Sequence, residues 1–127
     1  MFRVFLVEDS ELVRERLTDF LATIEGVDTV GSAGSAPDAE QAILAAQPDA
    51  VLLDIKLAQG SGFDVLRSLR ANAPQIDVYV FSNCAAPAYR QLAANLGARG
   101  FFDKTTEITS LRRTFAERAA QSTQSIQ

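Results

Sequence analysis

Short apolar runs alternate along the chain with stretches whose apolar residues recur at helical spacing, and this alternation predicts the order of elements. Phe2 to Val7 reads as a strand. The next stretch puts Val13, Leu17, Phe20, Leu21 and Ile24 on one helical face and Arg14, Glu15, Arg16 and Asp19 on the other, with Gly26 as its stop. A brief second strand is expected near Thr29 to Ser32. Pro37 suits the first turn of a second helix that turns Ala39, Ala42, Ile43 and Ala46 inward, and Pro48 lies beyond its end. Ala50 to Leu53 is apolar on both faces, as a central strand covered by helices on each side must be. A third helix starting near Gly62 buries Phe63, Leu66 and Leu69 and ends before Pro74. Val78 to Phe81 is the fourth strand. A small-residue helix with Leu92, Ala93 and Leu96 stops at Gly97, Gly100 to Phe102 is the fifth strand, and Ile108, Leu111 and Phe115 mark the last helix. Strands alternating with helices predict an α/β domain with a doubly wound, five-stranded parallel sheet flanked by five helices.

The strand runs end in polar residues. Glu8 and Asp9 follow the first, Asp54 the third, Ser82 the fourth, and Lys104 lies just past the fifth. In an open doubly wound sheet, ligands bind beyond the carboxyl ends of the strands, where strand order reverses. Three carboxylates, a hydroxyl and an ammonium are thus expected at one rim. Like charges there repel unless a cation joins them, and a divalent cation together with Lys104 would settle that conflict. Magnesium takes hard oxygen ligands and keeps several waters, so one or two carboxylates, a carbonyl and a phosphoryl oxygen suffice.

Composition narrows the chemistry further. With 127 residues, of which 47% are apolar, the chain holds one domain with a real core. That domain is expected over residues 1–118, with 119–127 a tail or the start of a linker, because apolar periodicity is lost from Ala119 onward. A net charge of −4 argues against a nucleic-acid surface on this domain. No apolar run approaches the roughly 18 residues of a membrane span. No signal-peptide pattern opens the chain, so a cytoplasmic protein without membrane contact is expected. One cysteine and no histidine exclude an internal disulfide, histidine-based triads and the usual zinc sites.

These residues resemble the receiver domains of two-component response regulators, which have the flavodoxin-like fold with strand order 2-1-3-4-5. The resemblance spans Phe2 to about Arg118. It rests on the acid pair Glu8-Asp9, on Asp54-Ile55-Lys56-Leu57 with Gly62 eight residues after the aspartate, on Ser82, and on Gly-Ala-Arg-Gly-Phe-Phe-Asp-Lys ending at Lys104. It implies that Asp54 is the phosphoacceptor and that Asp9, Asp54 and the Lys56 carbonyl hold Mg2+, with Glu8 acting directly or through water. Ser82 and Lys104 would bind phosphoryl oxygens, and Phe101 would take the place of the switch aromatic. The implied donor is a sensor histidine kinase or phosphotransfer protein, and the implied output is a changed protein-interaction face of helix 4, strand 5 and helix 5, which is also a homodimer candidate. Such a domain is not an enzyme beyond its own phosphorylation and dephosphorylation. The run ending at Lys104 is also similar to that of receivers joined to helix-turn-helix output domains.

Several positions depart from the family pattern. Glu8 replaces the more usual aspartate, Ala58 stands where proline is common, and Thr105 follows Lys104 in place of a cis proline, so a trans bond is expected there. Lys56 and Asn83 carry side chains long enough to lean over the acids. Competing readings remain. As the lesser alternatives, Glu8-Asp9 and Ser82 would be caps and Lys104 a surface ion-pair partner, while Phe101 reads as core as readily as switch. Gly31-Ser32-Ala33-Gly34-Ser35 reads as a plain turn before Pro37 rather than a phosphate loop, and Arg112, Arg113 and Arg118 as a solvated or partner-facing stripe. At the level of function the alternatives are a pseudo-receiver that only binds partners and an aspartyl-phosphate hydrolase. The hydrolase would require an acid where Lys56 stands. A flavodoxin is disfavoured by Glu8 and Asp9 in the place of a phosphate loop.

Overall fold

The computed structural model describes residues 1–125. Among them the chain forms β1 (Phe2–Val7), α1 (Glu11–Ala22), β2 (Val27–Ala33), α2 (Ala36–Ala46), β3 (Ala50–Leu53), α3 (Gly62–Asn72), β4 (Asp77–Ser82), α4 (Pro87–Asn95), β5 (Gly100–Asp103) and α5 (Ile108–Ser125). The strands make one sheet in the order β2-β1-β3-β4-β5, every pair parallel, as expected.

Alternation along the strands builds the two faces. In β1, Phe2, Val4 and Leu6 join Leu17, Leu21, Tyr79, Leu111 and Phe115 on the side of α1 and α5. Phe5 and Val7 point the other way, joining Ile43, Val51, Leu53, Leu66 and Leu69 under α2 and α3. A smaller cluster of Ile55, Phe63, Val80 and Ala93 seats α4. Burying each such Leu or Phe fully contributes roughly 1.5–3 kcal/mol, so these clusters hold the helices that propensity alone would not.

Helix starts follow local chemistry. The Ser10 hydroxyl accepts from the Val13 amide, Ser35 accepts from Asp38, and Ser61 with Asp64 forms a reciprocal capping box. Ser10 therefore caps α1, and Glu8 and Asp9 are released from that duty.

Several boundaries differ from expectation. β2 extends from Val27 to Ala33 because both ends are buried and pair with Phe2 and Val7. The exposed Asp28 interrupts the apolar signal between Val27 and the expected Thr29 to Ser32, since this strand lies at the sheet edge. β4 and β5 each continue one residue onto the rim, to Ser82 and Asp103. The helix α5 continues past Arg118 to Ser125. Ala119 continues the stripe of Leu111 and Phe115 into the core, and the Ser122 hydroxyl donates to the Met1 carbonyl at 3.3 Å. Only one residue per turn faces the sheet here, too few to register as periodicity. Ile126 and Gln127, the end of the expected tail, lie outside the described residues. No described helix is long and apolar enough to cross a membrane.

Candidate functional site

Strand register assembles the site. Val7 pairs with Leu53 and Leu53 with Val80, so Glu8 and Asp54 leave β1 and β3 side by side. Ser82, the last residue of β4, pairs with Asp103, and the Lys104 amide donates to the Ser82 carbonyl at 3.2 Å. Strand order reverses between β1 and β3, so the acids stand at the switch point.

At this rim the Lys104 ammonium donates to Glu8 Oε2 and to Asp54 Oδ2, each at 2.6 Å. The side chains are 4% (Glu8), 10% (Asp54) and 16% (Lys104) exposed, so three charges share a nearly dry space. Lys104 is therefore no surface ion-pair partner. Ser82 is wholly buried; its hydroxyl accepts from the Cys84 amide at 3.1 Å and helps keep the Asp54 carboxylate charged. It caps no helix, since α4 starts after Ala86 without a side-chain cap.

Electrostatics separates the two buried acids. Burial pushes the Glu8 carboxyl up and the adjacent Asp54 adds to the push, so that against the pull of Lys104 it reaches about 7. Burial acts on Asp54 in the same direction, but the bonds from Lys104, Ser82 and Glu8 outweigh it and hold Asp54 below the ordinary carboxylate range. Desolvation disfavours the Lys104 cation, yet its two carboxylate partners leave it more basic than a free lysine.

A pH dependence follows. Glu8 has a raised folded-state pKa, so its contribution to stability is complete below about 4.5 and is lost as pH rises through about 7. Asp54 is depressed, so its contribution is lost only as pH falls below the ordinary value of 3.8. Lys104 is raised, so its share disappears only in strong alkali. Urea unfolding in the presence of a chelator should show stability declining between pH 5 and pH 8, and Glu8→Gln should flatten that slope. An equal slope in the variant would remove Glu8 as its source.

The other expected residues sit as follows. Asp9 is beside Glu8, but its side chain is exposed and takes no part in the Lys104 contacts. Lys56 is exposed, and its amide approaches Asp54 Oδ1 at 3.4 Å. Asn83 turns toward the neighbouring loop, where its Oδ1 accepts from the Thr105 hydroxyl at 3.3 Å, instead of covering the acids. The Lys104-Thr105 bond is trans, as is every described peptide bond.

Phe101 is half-buried against the α4 cluster, and Arg90 lies over its ring at 4.9 Å. The same guanidinium donates to the Ala85 carbonyl at 3.0 Å and to Glu107 Oε1, which also accepts from the Asp103 amide at 3.0 Å. Arg90 and Glu107 thus join α4, β5 and the start of α5. Neither carried a signal in the sequence. Arg118 also corrects an expectation: it is no solvated residue, since it donates to Tyr79 and Asp77 and lies over Phe2.

The donor set suits a hard divalent cation. Two buried carboxylates, the Asp9 carboxylate alongside and the carbonyl after Ile55 are all oxygens. Among the described residues no three acidic, histidine or cysteine side chains stand together in a way that could hold a metal ion by themselves.

Known proteins resemble this chain in sequence and fold. A profile described as the response regulator receiver domain matches residues 4–116. The chain is 34% identical over 113 residues to the DNA-binding transcriptional activator DevR/DosR of Mycobacterium tuberculosis, covering 89% of this chain and 52% of that protein. It is 32% identical over 120 residues to the response regulator GacA of Pseudomonas aeruginosa, covering 91% and 56%. The chain thus spans about half the length of these curated relatives. Among solved structures, the BeF3-activated N-terminal receiver domain of Klebsiella pneumoniae RstA superposes with a TM-score of 0.82 at 26% identity, covering 92% of this chain and 97% of that one.

Proposed function

Because this chain belongs to the response regulator receiver domain family of two-component signalling, we propose that Asp54 is its phosphoacceptor and that Mg2+ assists the transfer. The observation that carries this reading is the pairing of Asp54 with Lys104 at 2.6 Å, in a buried site that holds the carboxylate deprotonated.

Asp54 Oδ attacks phosphorus in line. The new O–P bond forms as the bond to the leaving group breaks, and the electron pair departs with the imidazole of a phosphohistidine or with the carboxylate of an acyl phosphate. A loose transition state spreads charge over three equatorial oxygens, so positioning and charge neutralisation supply most of the rate. Lys104 carries the nearest protein cation to those oxygens, and the buried Ser82 hydroxyl can turn from Asp54 to donate to one of them. A bound Mg2+, held by Asp9, Asp54 and the Lys56 carbonyl with Glu8 direct or through water, would add charge neutralisation.

The donor is a sensor histidine kinase or phosphotransfer protein, and the face of α4, β5 and α5 carries the output, including self-association. DNA binding is named for one relative, of whose length this chain spans 52%.

Incubation with acetyl phosphate and Mg2+ followed by intact mass tests the assignment. The wild type should gain one phosphoryl group and Asp54→Asn none. A wild type that gains nothing would instead favour a binding module with a silent site.

A further inference from the structure

Arg14 was expected on the solvated face of α1, but it is half-buried and reaches back past the helix cap. Its Nη1 donates to the Glu8 carbonyl at 2.7 Å and to the Asp9 carbonyl at 3.4 Å. Side chains on a helix lean toward its N-terminus, so an arginine one turn in can cover the end of the preceding strand. The space it fills is left by Gly34, where an added Cβ would stand 2.8 Å from Nη1 and 3.7 Å from Asp9. Gly34 is thus neither a phosphate loop nor only a turn; it leaves room for the guanidinium.

We propose that Arg14, admitted by Gly34, is a positioning residue that clamps the Glu8-Asp9 turn in the geometry a divalent cation requires. This rests on the metal reading above. Two successive carbonyls held by one nitrogen restrain the backbone that carries both acids, and Mg2+ tolerates little departure from octahedral geometry. Outer partners of this kind typically govern metal affinity by 10–100-fold.

The sign of the effect separates the clamp from simple electrostatics. Removing a nearby cation should tighten Mg2+ binding through the field alone, whereas loosening the turn should weaken it. Calorimetric titration of the metal-free protein with Mg2+ should show about tenfold weaker binding for Arg14→Gln. Arg14→Lys, which keeps the charge but not the planar fork, should recover part of the loss. Gly34→Ala should reproduce it with Arg14 intact, because the added methyl crowds only the far end of the Arg14 side chain and lies at ordinary contact distance, 3.7 Å, from the Asp9 backbone. Arg16→Gln, which removes the same charge from an exposed position of the same helix, should not weaken binding.

Hydrogen exchange in metal-free protein gives a second readout. The Asp9 and Ser10 amides should exchange faster in Arg14→Gln and Gly34→Ala than in the wild type. Unchanged or tighter Mg2+ binding in Arg14→Gln, or unchanged exchange at these amides, would overturn the clamp. Failure of the wild type to bind Mg2+ or to be phosphorylated would overturn the functional reading instead, and exchange would still decide the clamp.

Discussion

Replacing Lys104 by methionine should cost the metal-free protein about 3 kcal/mol at pH 8, the low end for removing one partner of a buried ion pair because the ammonium keeps some water contact. Methionine preserves much of the stem's packing, so the loss reports on charge. Glu8 Oε2 and Asp54 Oδ2, both now 2.6 Å from the ammonium, would face each other with no cation between them. The deficit should shrink as pH falls toward 5, where Glu8 takes up a proton and the repulsion ends. It should also shrink on adding Mg2+, which can replace the missing charge. Urea midpoints at pH 5 and 8, with and without Mg2+, check all three trends. Phosphorylation by acetyl phosphate should slow about 100-fold, the typical loss for one charge-stabilising donor. A variant as stable as the wild type at pH 8 would mean that the two acids do not depend on Lys104.

Gly62→Ala should destabilise by about 3 kcal/mol and disturb Asp54 as well. A Cβ at Gly62 would stand 2.3 Å from the Asp54 carbonyl oxygen and 2.9 Å from the Ile55 Cα. Those are backbone atoms, fixed by the Gly62 amide, which donates to the Ile55 carbonyl at 2.7 Å. Relief requires the chain around the acceptor to move, with the cost of an overpacked core. Helix propensity alone predicts the opposite sign, since alanine is favoured over glycine within a helix by up to about 1 kcal/mol. Thermal melting therefore decides the matter by direction. A displacement of even about 1 Å at a reacting group can cost 100-fold in rate, so phosphorylation should fall even where the variant remains folded. A stabilised, fully reactive Gly62→Ala protein would show that the acceptor loop has room to spare.

The order of elements and the acids at the rim were legible in the sequence for the same reason. Fully buried strands such as Ala50 to Leu53 are unbroken apolar runs, so the first polar residue after each marks the sheet's carboxyl edge. β2 was underread because an edge strand needs less apolar surface, and the end of α5 because Ala119 alone carries its packing onward. What could not be read were the arginines. Arg14, Arg90 and Arg118 occupy polar helix positions that look solvated in one dimension, and their partners lie on other elements or on backbone carbonyls that have no sequence signature. Asp9 shows the converse. It stands in the acid pair, as the sequence places it, yet its side chain is exposed apart from the Lys104 contacts.

The placement of Arg90 has a mechanical consequence. One guanidinium is at once the roof over Phe101 and the strut to Glu107, so the aromatic ring cannot move without loosening the joint between α4 and α5. Its hold is slight: a cation above a half-exposed ring contributes about 0.5–1 kcal/mol, and a partly exposed ion pair about 0–1 kcal/mol. A catch of that strength opens spontaneously in a small fraction of molecules. Any event at the rim that favours the open form by a few kcal/mol would make it the majority, without rebuilding the core beneath.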